Sequence, residues 1–193
     1  MKKLLFLALF ILASYITVCG QDSYYMDKDY AVFQRHPKAK GLDFKIKVPS
    51  GWILEEGTRP NVVCKLTQGN SSFMILVHNN LTFLSRKQGR EFLDTGALDE
   101  GYLEGSIRMI NPKIISSSNT VVDTYPTRLV EMRYKMQIPL ANQLYDYHTY
   151  YWGICYEDLI ISIQASALHN DFLRLSYKFH QILQSIVFLE HYE

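Results

Sequence analysis

Several common signatures are missing from this sequence, and each absence removes a class of function. There is no Cys-x-x-Cys, no His-Glu-x-x-His and no His-x-His, the spacings that ordinarily hold zinc. The six histidines, His36, His78, His148, His169, His180 and His191, are scattered, and Asp146-x-His148 reads as a solvated strand face. No metal site and no cofactor are predicted. No Gly-x-Ser-x-Gly elbow occurs, and the nearest serine cluster, Gly69-Asn70-Ser71-Ser72, lacks the second glycine. Glycine-rich phosphate loops, internal repeats and low-complexity segments are absent too. Charge of one sign is also lacking: 20 Lys and Arg stand against 19 Asp and Glu, net +1. Nucleic-acid binding domains normally carry a basic excess, so a nucleic-acid partner is not expected.

Long apolar runs are scarce. The longest, Leu4 to Ile16, has thirteen residues, short of the roughly 20 that cross a bilayer. No transmembrane helix is expected. With Lys2 and Lys3 before it and Val18-Cys19-Gly20 after it, this run reads as a secretory signal peptide over residues 1–20. Its removal leaves a chain starting near Gln21, with 18 basic and 19 acidic residues, net −1. Export makes the protein periplasmic or secreted. The alternative is a lipoprotein acylated at Cys19, although Val18 is an unusual residue before a lipid-bearing cysteine.

Two cysteines remain after the leader, Cys64 and Cys155. In an oxidising compartment they either form a disulfide or stay as two buried free thiols, and both readings are open at this stage.

Residues 21–40 are polar and lack helical period, as expected of an N-terminal arm or capping segment. Residues 41–193 read as one domain. Leu42, Phe44, Ile46 and Val48 alternate with Asp43, Lys45 and Lys47, a half-buried strand that Pro49-Ser50-Gly51 ends. Asn61–Thr67 and Ser72–His78 predict a hairpin about Gln68-Gly69-Asn70-Ser71. Helix follows over Leu84–Leu103, broken near Gly96 and Gly101. Asn111–Thr120 predicts a strand that decays into a Ser-rich turn. Three strands come next, Thr127–Ile138, Leu144–Ile154 and Leu159–Ala167. The last helix is the clearest: Phe172, Leu175, Phe179, Ile182, Leu183 and Ile186 recur at three and four residues over Asp171–Ile186, with Asn170 or Asp171 as N-cap.

The run Phe44-Lys-Ile-Lys-Val-Pro-Ser-Gly-Trp52 resembles the opening strand of PsbP-like domains, with its Pro-x-Gly-Trp exit. The closing Gln181-Ile-Leu-Gln-Ser-Ile-Val-Phe188 resembles that family's final helix and strand. The resemblance spans about Gly41 to Leu189. It implies an α+β fold, a twisted antiparallel sheet flanked by helices on both faces (an α/β/α sandwich). The family includes photosynthetic extrinsic subunits, a Ran-binding protein and exported bacterial proteins of the DcrB type, mostly partner-binding proteins. It brings no shared catalytic residues.

Tyrosine is abundant at 14 residues, ten of them from Tyr102 onward. The strand Leu144–Ile154 sets Tyr147 and Tyr151 on one face and His148, Tyr150 and Trp152 on the other. An exposed aromatic face would be a binding surface; the competing expectation is a strand covered on both faces. These readings predict an exported, non-enzymatic accessory or binding protein of the bacterial cell envelope, with a protein or small-molecule partner. The alternative is a secreted hydrolase whose histidine and acid assemble in space.

Overall fold

The computed structural model describes residues 24–79, 85–104, 109–137 and 143–189. The leader, Cys19 and His191 lie outside these residues.

Two antiparallel sheets carry the fold. The larger has seven strands: β4 (Ile53–Glu55), β5 (Val62–Gln68), β6 (Ser71–Asn79), β7 (Ile110–Val122), β8 (Tyr125–Gln137), β9 (Leu144–Tyr156) and β10 (Leu159–Leu168). Their spatial order is β4-β5-β6-β10-β9-β8-β7. It consists of two meanders, β4–β6 and β7–β10, joined where β10 pairs with β6 (Ile161 opposite Val77). The smaller sheet has the order β1-β2-β3-β11, from β1 (Tyr25–Asp27), β2 (Tyr30–Phe33), β3 (Phe44–Lys47) and β11 (Val187–Phe188). The expected N-terminal arm is therefore largely part of the folded body. Ala31, Val32 and Phe33 are buried, and Phe33 stacks on Phe44 at 4.7 Å. Four alternating apolar residues in Leu42–Val48 need cover on one side, and the preceding segment supplies it.

Helices α1 (Arg86–Asp94) and α2 (Ala97–Glu104) link β6 to β7 across one face of the large sheet. Ser85 starts α1 with a capping box: its hydroxyl accepts from the Gln88 N–H, and Gln88 Oε1 accepts from the Ser85 N–H. Gly96, at φ +75°, breaks the two helices apart as expected, whereas Gly101, also expected as a break, lies inside α2. Helix α3 (His169–Gln184) and the small sheet cover the opposite face. It begins at His169, with Leu168 in the N-cap position and no side-chain cap. Asn170 and Asp171, expected as caps, lie inside its first turn. Its buried residues, Phe172, Phe179, Ile182 and Leu183, are those the periodicity picked out.

β7 departs from expectation. Ser116-Ser117-Ser118 is not a turn; the strand runs through it to Val122, held by continuous pairing to β8 from Ser116 opposite Glu131 to Val122 opposite Tyr125. Pairing with a long, well-packed neighbour overrides serine's weak strand propensity.

Candidate functional site

The aromatic strand β9 lies inside the sheet, between β8 and β10, with helices on both faces. Of the two expectations for this strand, an exposed aromatic face and a strand covered on both faces, the structure has the second. Trp152 has no exposed surface; His148, Tyr151 and Tyr147 are at 6%, 7% and 9%; Tyr150 is half-buried. Towards α3, His148 stacks on Phe172 with centroids 3.8 Å apart, and Tyr150 packs between Phe172 (4.7 Å) and His180 (5.1 Å). Trp152 lies against Phe73 and His180. Towards α1 and α2, Tyr151 stacks on Tyr102 at 4.5 Å and Tyr147 on Tyr134 at 5.9 Å. The five residues named from sequence share a strand, not a surface, because alternation divides them between two filled layers.

Of the two readings open for the cysteines, a disulfide and two buried free thiols, the structure has the second. Cys64 and Cys155 are both free and buried. Strands β6 and β10 stand between β5 and β9, which separates the thiols by about 14 Å at the usual strand spacing. A disulfide needs Cα atoms within about 7 Å. The two also sit on opposite faces: Cys64 belongs to the core under α3, whereas the Cys155 Cβ approaches Gly89 of α1. Burial pushes the Cys64 thiol up to about 12 and the Cys155 thiol to about 11, so neither is a ready nucleophile.

His148 meets an acid at hydrogen-bond distance. His148 Nε2 lies 2.8 Å from Glu131 Oε1 on β8, and its Nδ1 lies 3.4 Å from Nδ1 of His169 at the start of α3. The other Glu131 oxygen, Oε2, accepts from the Ser116 hydroxyl at 2.8 Å. Burial holds His148 below its ordinary value, against the opposing pull of the Glu131 carboxylate. The order of this chain decides its chemistry. A catalytic triad places histidine between hydroxyl and carboxylate, so that histidine takes the hydroxyl proton. Here the carboxylate is in the middle, and Ser116 has no histidine to activate it within the chain of contacts. Among the described residues, no three His, Cys, Asp or Glu side chains form a group that could hold a metal ion.

An open concave feature among the described residues lies elsewhere. A groove of about 300 Å³ runs between α1 and the turn-proximal ends of β7 and β8. Leu93, Val121 and Pro126 give it an apolar floor, and Arg90 and Asp94 stand on its α1 side. The Asn119 amide donates to Asp94 and its carbonyl accepts from Arg128 at 3.1 Å. Arg128 in turn forks onto Asp99 of α2, Nε to Oδ1 at 3.0 Å and Nη2 to Oδ2 at 2.7 Å. The guanidinium holds the Asp99 carboxyl below its usual range. This network fixes α1 and α2 against β7 and β8, so the groove is set by rigid elements. Sequence reading found none of its residues: they come from a helix, a serine-rich stretch and a turn, and carry no shared spacing.

The architecture has known counterparts. The solution structure of cyanobacterial PsbP (CyanoP) from Synechocystis sp. PCC 6803 superposes with a TM-score of 0.55, covering 90% of this chain and 99% of that one at 10% identity. The fold is PsbP-like. A crystal structure from Bacteroides thetaiotaomicron VPI-5482 matches with a TM-score of 0.50 at 12% identity, covering 84% of this chain and 49% of that one. LpqN of Mycobacterium tuberculosis, described as involved in cell envelope biogenesis, reaches a TM-score of 0.43 at 10% identity. No family model and no curated protein matches the sequence. Among the described residues, no helix is long and apolar enough to cross a membrane.

Proposed function

We propose that this PsbP-like protein is an exported, non-enzymatic accessory protein of the bacterial cell envelope that holds a protein partner in the groove between α1 and the β7–β8 ends. The groove carries the reading. It combines an apolar floor with charged Arg90 and Asp94 and is open to solvent, as expected of a site for a short protein segment. The leader supports export, in soluble form after removal of residues 1–20. The inverted order of Ser116, Glu131 and His148 favours binding over the hydrolase alternative.

Two measurements test this. Intact mass of the chain recovered from a bacterial envelope fraction is expected to give a start near Gln21; a start at Cys19 with added acyl mass means membrane tethering instead. A photo-cross-linking residue at Arg90 is expected to give one discrete adduct with another envelope protein, lost in Asp94→Ala. No adduct, or a small-molecule adduct only, overturns the protein-partner reading.

A further inference from the structure

Ser116, Glu131, His148 and His169 form a directed chain of contacts on the α3 face of the large sheet. Glu131 is engaged through both oxygens: Oε2 accepts from the Ser116 hydroxyl, and Oε1 lies 2.8 Å from Nε2 of His148. A carboxylate only accepts, so this network assigns the His148 hydrogen to Nε2 and leaves its Nδ1 bare. That bare nitrogen lies 3.4 Å from Nδ1 of His169, which must then be the donor. The chain joins the first residue of α3 to β9, β8 and β7. Little else ties this helix start to the sheet. Leu168 gives no side-chain cap, and Asp171 accepts from Arg174 of the same helix. In the first turn it is Phe172 that packs downward, stacked on His148 at 3.8 Å and set against Tyr150 at 4.7 Å.

We propose that the His148–His169 contact is an acid-released clasp, closed while the rings share one hydrogen between their Nδ1 atoms and opened when both rings are fully protonated, which frees the first turn of α3 from the sheet. A first proton does not open it. That proton adds at Nε2 of the half-exposed His169 and leaves the shared hydrogen in place. The Glu131 carboxylate and the stacked Phe172 ring both accommodate one positive charge on the pair. A second proton sets N–H against N–H across the same 3.4 Å, between two cations. The surrounding charges oppose that second proton further. Arg133 of β8 lies opposite His148, and Lys113 of β7 lies opposite Arg133. On β9, Asp146 is 4.0 Å from Arg133, and Tyr150 adds a neutral ring. β10 brings only Ala167 opposite His148, and α3 brings Asp171, held by Arg174. Burial already holds His148 below its ordinary value. The turn so clasped is the one that lays Phe172 over His148 and Tyr150, so its release uncovers the aromatic layer of β9. The clasp lies on the α3 face, away from α1 and its groove, and works whether or not the groove takes a partner.

Nitrogen–proton correlation spectra of the histidine rings, together with amide exchange along α3, test it. At pH 7.5 the rings are expected to carry hydrogen on Nε2 of His148 and on Nδ1 of His169; the reverse pattern overturns the proposal. The amides of residues 172–175 close the first turn on the carbonyls of residues 168–171. Opening takes up one net proton at low pH. With an ordinary histidine pKa of about 6.5, protection at 172–175, corrected for intrinsic exchange, is expected to fall about 30-fold from pH 7.5 to pH 5. Protection at residues 179–183 is expected to hold over that range. His169→Gln, at a half-exposed position, keeps a donor for His148 Nδ1 but takes up no proton. It is expected to leave first-turn protection flat with pH. A wild type whose first-turn protection is flat overturns the proposal. So does an equal loss at 172–175 and 179–183, which is loss of the whole helix. A His169→Gln variant that keeps the 30-fold fall overturns it as well, because another group then titrates.

Discussion

Trp52 meets Phe179 edge-on, with ring centroids 6.0 Å apart and planes inclined by 74°. Trp52 follows the Pro49-Ser50-Gly51 turn after β3, and Phe179 is the fully buried centre of α3's apolar face. The contact thus joins the N-terminal strand motif to the C-terminal helix, which finishes by sending β11 back to pair with β3, Phe188 opposite Phe44. Removing either ring leaves a cavity next to a residue that cannot follow it. Phe179→Ala and Trp52→Ala are each expected to cost about 3–5 kcal/mol in urea unfolding. The double variant should cost less than the two single costs combined, since the residues touch. Strict additivity means the contact does not couple the two elements.

That pairing also explains what was legible in the sequence. The Phe44–Trp52 and Gln181–Phe188 segments signalled the fold because they meet in space, where strict alternation and a Pro-Gly turn serve a shared core. Helix α3 and the Gly96 break were readable for similar local reasons. Long-range cover was not readable. The alternation of β9 is the same whether one face is wet or both are packed, so Tyr150 and Trp152 could equally have been a binding surface. Nothing local reveals that β6 and β10 separate Cys64 from Cys155. Ser116-Ser117-Ser118 looks like a turn until β8 is placed beside it.

The turn between β7 and β8 holds two consecutive non-glycine residues in left-handed conformation, Asp123 at φ 42° and Thr124 at φ 71°. Two-residue hairpins of this geometry favour Asn-Gly or Asp-Gly. Asp123 has a compensating role, because its carboxylate accepts from the Phe188 N–H at 2.7 Å and ties the turn to β11. Thr124 is exposed and β-branched, which makes this conformation costly. Thr124→Gly is expected to stabilise the protein by about 0.5–1 kcal/mol in chemical denaturation. Destabilisation would mean that the threonine side chain supports the turn.

Arg128 and Asp99 are both about 15% exposed, at 16% and 15%, and form two parallel hydrogen bonds. Asp99→Asn keeps the shape but removes the charge, and is expected to cost about 1–2 kcal/mol at neutral pH. The Arg128 hydrogen bonds lower the Asp99 pKa in the folded state, so between the folded and unfolded values the unfolded chain binds more protons. The pair's contribution is therefore complete above the ordinary aspartate range and fades as pH falls through the lowered folded value. Urea midpoints of wild type and Asp99→Asn should converge below about pH 4; a constant gap would assign the loss to shape and not to charge.

His36 is buried, with Nδ1 accepting from the Lys38 N–H at 3.1 Å and Nε2 3.9 Å from the Glu56 carboxylate. Burial lowers its pKa, and the Glu56 charge only partly opposes this. The unfolded chain therefore takes up a proton more readily, and stability falls as pH drops below the ordinary histidine value of about 6.5. Protonation would also cost the Lys38 N–H its acceptor. His36→Asn keeps an acceptor near the Nδ1 position but does not titrate. It should shrink the loss of stability between pH 7 and pH 5, with His78 and His180, also lowered by burial, supplying part of the remainder. An unchanged pH slope in this variant would mean that His36 titrates alike in both states.

Gly153 lies in the middle of β9 because α2 sits directly on it. A Cβ there would stand 2.3 Å from Leu98 Cδ1 and 3.1 Å from the Tyr102 hydroxyl. The same close approach lets Tyr102 stack on Tyr151 and lets Asp99 reach Arg128. Gly153→Ala is therefore expected to lift α2 and destabilise the fold by about 1–3 kcal/mol, the usual cost of overpacking. Loss of α2 contact should appear as faster amide exchange over residues 97–103, with β4 and β5 unaffected. Truncating the colliding side chain separates this cause from strand propensity. If the clash dominates, Leu98→Ala should cost less in the Gly153→Ala background than in the wild type. If the two losses simply add, the glycine is needed for β9 itself and not for the helix above it.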